Sequence, residues 1–230
     1  MERTYTEEIE LLKLGQGQVF HGEGILAVTK ALLQSGVSYV GGYQGSPVTA
    51  LLDVLVSAKD LLGELGVHVE ACANEASAAA MLAASINYPV RGAVTWKVLG
   101  NGVGQDVVDH VSQIGVQDGA MIVVGEDYGG SSTSVLQRTL AWGVKSGIIV
   151  IDSRGDSQVL HRMVKEGMDI SRDSQSVVAV LVRLRLGGPV FFLQPRVGLH
   201  AARFTSAILF TIVSAPGSGH ASTHVPQPAH

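Results

Sequence analysis

Cysteine is nearly absent from this chain. Cys72 stands alone among 230 residues, which excludes a disulfide framework and any cysteine-ligated iron–sulfur cluster held by this chain by itself. A single Cys among apolar neighbours reads as a small buried hydrophobe. Charge is also scarce: Asp, Glu, Lys and Arg make up 16% of the sequence, against 46% hydrophobic residues. So little charge, with this much Gly and Ala, implies a well-buried core and a large surface reserved for a partner. The net charge is −4 and no basic stripe occurs, so no nucleic-acid partner is expected. Long apolar runs are missing as well. The run from Ser206 to Val213 is far too short for a membrane span. Met1 to Glu8 is polar and acidic, unlike a signal peptide. A cytoplasmic protein without membrane contact is the expectation. His200, His220, His224 and His230 follow no zinc-ligand spacing, so no metal site is expected in the chain.

What is present is a regular alternation. Residues 1–19 form a lead-in. Glu23 to Ser35 carries Ile25, Val28, Leu32 and Leu33 at helical spacing, and Gly36 stops it. Val37 to Val40 is a strand, and Gly41 to Pro47 a loop. Pro47 suits a first helical position with Ser46 as N-cap, opening a helix that runs to about Leu62. Val67 to Ala71 is the next strand, followed by an alanine-rich helix from Asn74 to about Asn87. Nearly free of charge, that helix is suited to burial on all sides at an interface. Arg91 to Trp96 is a strand, and Gln105 to Ile114 a helix. Gly119 to Gly125 is a continuous apolar run, the mark of a central parallel strand. A helix to about Trp142, a strand at Gly147 to Ile151 and a helix from Asp156 to Glu166 follow. Asp173 to Leu184 fits a further helix, although its many Val residues fit a strand too. Phe191 to Leu193 fits one last strand. This order predicts an α/β fold, a doubly wound parallel sheet with helices on both faces. The domain boundaries are placed at 20–186, with 187–230 a low-complexity tail expected to be disordered or truncated.

Function enters through the strand ends. Asn74 and Glu75 stand at the turn between a strand and a helix, where open α/β sheets place their ligands and where a helix start favours a carboxylate. Taken together, Gly42-Tyr43-Gln44-Gly45-Ser46-Pro47, Asn74-Glu75-Ala76, Thr95-Trp96-Lys97 and Glu126-Asp127-Tyr128-Gly129-Gly130-Ser131-Ser132 fall in order at successive strand ends. That succession resembles the thiamine-pyrimidine-binding domain of 2-oxoacid:ferredoxin oxidoreductases, and most of all the indolepyruvate type, over about residues 12–185.

The resemblance implies a thiamine diphosphate cofactor and oxidative decarboxylation of an aryl or other 2-oxo acid to an acyl-coenzyme A, with ferredoxin as acceptor. It makes Glu75 the catalytic carboxylate on the aminopyrimidine, a general acid–base group of a kind that supplies ~10²–10⁴-fold in rate. It places Asn74, Gly100 and Asn101 beside the cofactor, and Ser46, Gly45 and Lys97 beside the substrate. Gln44 stands where the family usually has Pro. Gly100-Asn101-Gly102-Val103-Gly104 is not a dinucleotide fingerprint, because Gln105 occupies the place of its last Gly. The Gly-Asp-Gly segment with which thiamine enzymes hold the diphosphate through Mg²⁺ is also missing; Gly155-Asp156-Ser157 is the nearest approach. The Mg²⁺ and the iron–sulfur cluster are therefore expected in a partner domain or chain, within a dimer or hetero-oligomer. Two other readings remain: a catalytically incomplete interaction subunit of the same fold, and a subunit of a different thiamine-dependent decarboxylase.

Overall fold

A computed structural model of the chain describes residues 5–22, 24–127, 135, 137–153, 157–183, 190–193 and 209–210. Its elements run α1 (Thr6–Leu12), β1 (Val19–Gly22), α2 (Gly24–Gln34), β2 (Val37–Gly42), α3 (Thr49–Ser57), α4 (Lys59–Glu64), β3 (His68–Ala71), α5 (Glu75–Met81), α6 (Ala83–Asn87), β4 (Arg91–Lys97), α7 (Gly100–Val103), α8 (Gln105–Ile114), β5 (Ala120–Gly125), α9 (Thr139–Ser146), β6 (Ile149–Asp152), α10 (Ser157–Ser174), β7 (Val178–Val182), β8 (Val190–Leu193) and β9 (Leu209–Phe210).

The main sheet has the order β3-β2-β4-β5-β7-β6-β9. From β3 to β6 all neighbours pair in parallel, and β9 adds an antiparallel edge. Side chains alternate between faces with the period of two that a strand imposes. Met121 and Val123 of β5 join α2, α3, α4 and α10 in one apolar layer. Ala120, Ile122 and Val124 join α5, α8 and α9 in the other. Each fully buried Val, Leu or Ile there contributes about 1.5–3 kcal/mol. Connections that step toward β3, namely β2 to β3 and β6 to β7, cross on the first face. Those that step the other way cross on the second. This is what right-handed crossovers require, and it makes the fold the doubly wound parallel α/β sheet that the sequence predicts.

Several local expectations change. The segment 173–184 is not a helix: α10 ends at Ser174, Gln175 turns with φ 53°, and β7 begins at Val178. A run of β-branched residues suits a strand covered on both faces, and all of β7 is buried. The single helix expected from 48 to 62 is two helices, α3 and α4. Ser46 is not its N-cap. That place falls to Val48, whose N–H bonds the Gly45 carbonyl at 2.9 Å, because Pro47 and Val48 are pinned against Gly125 at the end of β5. The lead-in contains α1, whose Leu12 is buried against the core, and β1, which pairs antiparallel with β8. The tail histidines and the loop residues Tyr128 to Ser132 lie outside the described residues.

Two buried polar groups tie elements together, one a helix to the sheet and the other a helix to a helix. The Tyr39 hydroxyl meets Ser85 Oγ at 2.8 Å, and Ser85 in turn donates toward the Val90 carbonyl. His161 on α10 lies between helices, with Nε2 2.9 Å from Gln34 Oε1. Burial, then the charges of Lys165 and Lys30, push its pKa from the ordinary 6.5 to about 4. Between those two values the unfolded chain binds a proton that the folded chain does not. Stability therefore rises with pH across this window, by roughly 3 kcal/mol at ~1.36 kcal/mol per unit. Below pH 4 both states are protonated and the contribution is gone. Urea unfolding at intervals from pH 4 to 6.5 should show this slope, and His161→Gln should flatten it.

Candidate functional site

The candidate site lies at the carboxyl ends of β3, β2, β4 and β5, which are neighbours in that order. β2 leads away toward β3, and β4 leads away toward β5. The loops after β2 and β4 therefore flank the switch point at which open α/β sheets bind ligands. Backbone bonds hold these loop starts in line. Cys72 N–H donates to Gly42 O at 2.8 Å, Tyr43 N–H to Thr95 O at 3.0 Å, and Val98 N–H to Gly125 O at 2.9 Å. Gly42 must lack a side chain, because a Cβ there would sit 2.5 Å from Thr95 O.

Glu75 opens α5, and Asn74 caps it. The Asn74 Oδ1 accepts from Ser77 N–H at 2.8 Å, an interaction that stabilises a helix start by about 1 kcal/mol. The Glu75 side chain is half-buried and lies over Gly100, at the start of α7. A Cβ on Gly100 would be 2.8 Å from Glu75 Oε1 and 2.9 Å from Cδ. Within the described chain no hydrogen bond or ion pair engages the Glu75 carboxylate. It is thus a carboxylate set in place by packing on a glycine rather than by a polar partner.

Lys97 and the loop after β2 also come together. The Lys97 stem crosses Gly45, where a Cβ would lie 2.9 Å from Lys97 Cβ and 3.0 Å from Cδ. Lys97 is half-buried and Ser46 is exposed beside this contact. Cys72 is half-buried, with Sγ 3.6 Å from Met81 Sδ, and burial pushes its thiol pKa up. It packs rather than reacts.

Asn101 is different. It is only 4% exposed and its side chain turns inward. Trp96 Nε1 donates to Asn101 Oδ1 at 2.9 Å, and Asn101 Nδ2 donates to Thr139 Oγ1 at 3.2 Å. Thr139 N–H then donates to Glu126 Oε1 at 2.6 Å. Glu126 Oε2 faces Arg183 Nε at 3.4 Å, and Arg183 Nη2 meets Asp152 Oδ2 at 2.8 Å. This line, buried from Trp96 to Glu126 and half-buried at Arg183 and Asp152, joins the ends of β4, β5, β6 and β7. Glu126 marks only a strand-end loop in the sequence, and nothing there signals its role as the anchor. Among the described residues no cluster of three or more metal-ligating side chains occurs, and no helix is long and apolar enough to cross a membrane.

No protein-family profile matches the sequence, and no curated protein is significantly similar to it. Among solved structures the chain is similar to a 2-oxoglutarate:ferredoxin oxidoreductase from Magnetococcus marinus, solved with 2-oxoglutarate, coenzyme A and succinyl-CoA bound. The TM-score is 0.64 at 18% identity, over 79% of this chain and 32% of that one. The likeness shows a shared α/β fold. This chain spans about a third of the length of the enzyme chain it matches.

Proposed function

We propose that this chain is the pyrimidine-binding part of a thiamine-dependent 2-oxoacid:ferredoxin oxidoreductase, active when joined to a domain or chain that holds the diphosphate. One observation carries the reading: the half-buried, unengaged Glu75 carboxylate lying over Gly100, next to the switch point of the sheet. A thiamine pyrimidine needs one carboxylate within reach and a floor without side chains. The residues present fit that requirement, because Glu75 has no competing polar partner in the described chain and rests on a glycine, with no side chain of residue 100 between them. The shared fold with a 2-oxoglutarate:ferredoxin oxidoreductase supports the same reading.

Thiamine diphosphate, when bound, supplies the electron sink for decarboxylation of a 2-oxo acid. The protein's part is positioning and proton control. Glu75 would be the residue that holds the pyrimidine, through a hydrogen bond from its carboxyl group. Asn74 fixes the helix start that carries Glu75, and Gly100 gives the carboxylate its floor. Lys97, whose stem packs across Gly45, and Ser46, the next residue of that loop, would take the carboxylate that every 2-oxo acid has. An aryl substrate of the indolepyruvate type is the reading the sequence resemblance favours. Mg²⁺, the iron–sulfur cluster and the ferredoxin contact belong to the partner.

Isothermal titration of thiamine diphosphate with Mg²⁺ tests this reading, run with and without a co-purified partner chain carrying the diphosphate-binding domain. Saturable binding that requires the partner supports it. Absence of binding in both cases favours a non-catalytic interaction subunit of the same fold. Turnover of a 2-oxo acid without ferredoxin or coenzyme A would instead mark a different thiamine-dependent decarboxylase.

A further inference from the structure

We infer that Asn101 is a positioning residue: its buried bonds to Trp96 and Thr139 fix the start of α7, so that Gly100 holds the Glu75 carboxylate in its working place. The catalytic importance of that place rests on the function proposed above; the mechanical link does not.

Asn101 is buried, and both ends of its amide are engaged in the interior. A side-chain amide accepts at its oxygen and donates through two N–H bonds at its nitrogen. Here the oxygen is taken by Trp96 Nε1 and the nitrogen by Thr139 Oγ1, and Trp96 and Thr139 are both fully buried. The side chain therefore points away from any ligand at the strand edge. Its influence passes through the backbone to its neighbour Gly100, whose bare Cα is what the Glu75 side chain rests on. Gly104, one turn later, also packs near the Glu75 carbonyl, at 3.4 Å from the position of a Cβ. Thr139 carries the link onward, since its N–H is held by the buried Glu126 carboxylate. Glu75 makes no polar contact of its own in the described chain, so its pose depends on this wall. A buried hydrogen-bond line with all members satisfied is rigid, and a rigid line transmits position.

The test reads Glu75 directly and needs no cofactor. The full chain is labelled with ¹³C at Glu side-chain carboxyls, and the Glu75 resonance is assigned by its loss in Glu75→Gln. Asn101→Ala should shift that resonance. Gly100→Ala should shift it too, and the double variant should add nothing to the larger single shift, because both act through one contact. Ser85→Ala is the control. It breaks a buried hydrogen-bond cluster of similar kind beneath Tyr39, so it should lower stability while leaving the Glu75 resonance in place. If Asn101→Ala does not fold, Thr139→Val, which removes only one bond of the line, carries the same expectation.

A shift in the Asn101 or Thr139 variant with none in Ser85→Ala supports the inference. Lost stability with an unmoved Glu75 resonance overturns it, and Asn101 is then a core residue only. The two proposals fail separately. Thiamine diphosphate failing to bind sinks the functional reading without touching this resonance, and an unmoved resonance sinks the positioning role without touching cofactor binding.

Discussion

If the chain has the proposed function, replacing Glu75 by Gln should lower the turnover of the assembled protein by about 10²–10⁴-fold, the contribution of one positioned acid–base group. The substitution keeps the shape and removes the charge. Thermal stability should stay within about 0.5 kcal/mol of the parent, because the carboxylate has no polar partner within the described chain and is only half-buried. The proposed role therefore predicts that turnover falls while stability holds. Parallel melting curves and 2-oxo acid turnover with ferredoxin as acceptor check the prediction. Full activity in the Gln variant would remove Glu75 from the chemistry.

Glu126→Ala should have the opposite profile, with a large loss of stability. The Glu126 side chain is fully buried, and it accepts from Thr139 N–H at 2.6 Å while facing Arg183 at 3.4 Å. Truncation leaves the Thr139 amide without an acceptor, which costs about 1–3 kcal/mol. Removing one partner of a buried ion pair costs about 3–5 kcal/mol. Arg183 keeps Asp152 at 2.8 Å, which places the total near the lower end, about 3 kcal/mol. For a domain of this size that is a fall in Tm of roughly 10 °C. Glu126→Gln retains an acceptor for Thr139 and should lose about half as much. Equal melting temperatures for all three proteins would show that the buried line is not what joins these strand ends.

The contrast between these two glutamates explains how much was legible in the sequence. The parallel sheet was readable because β5 is a continuous apolar run and because helices and strands alternate from β2 onward. β7 was ambiguous for a physical reason. A short run of Val fits a buried strand or a buried helix equally well by periodicity, and the turn before it uses Gln175 rather than a glycine. The helix start after β2 was misplaced because tertiary contact overrode local signals: Pro47 and Val48 pack on Gly125, far away in sequence. Glu75 was readable as a candidate from its place at a strand end, and Gly45 with Lys97 from theirs. What the sequence did not carry is direction. Asn101 among glycines reads as a group free to touch a ligand, yet its amide is turned into the interior, bonded to Trp96 and Thr139. Glu126 reads as one more polar loop residue, and only the fold brings Thr139 and Arg183 to it.

The proposed function requires one contact, between the Glu75 carboxylate and the pyrimidine of thiamine diphosphate. A structure of the assembled protein with thiamine diphosphate and Mg²⁺ bound measures it. The account predicts a Glu75 carboxylate oxygen about 2.6–3.2 Å from a pyrimidine ring nitrogen, with Gly100 directly beneath the side chain. A bound cofactor whose pyrimidine meets some other acid, with Glu75 turned to solvent, would contradict it.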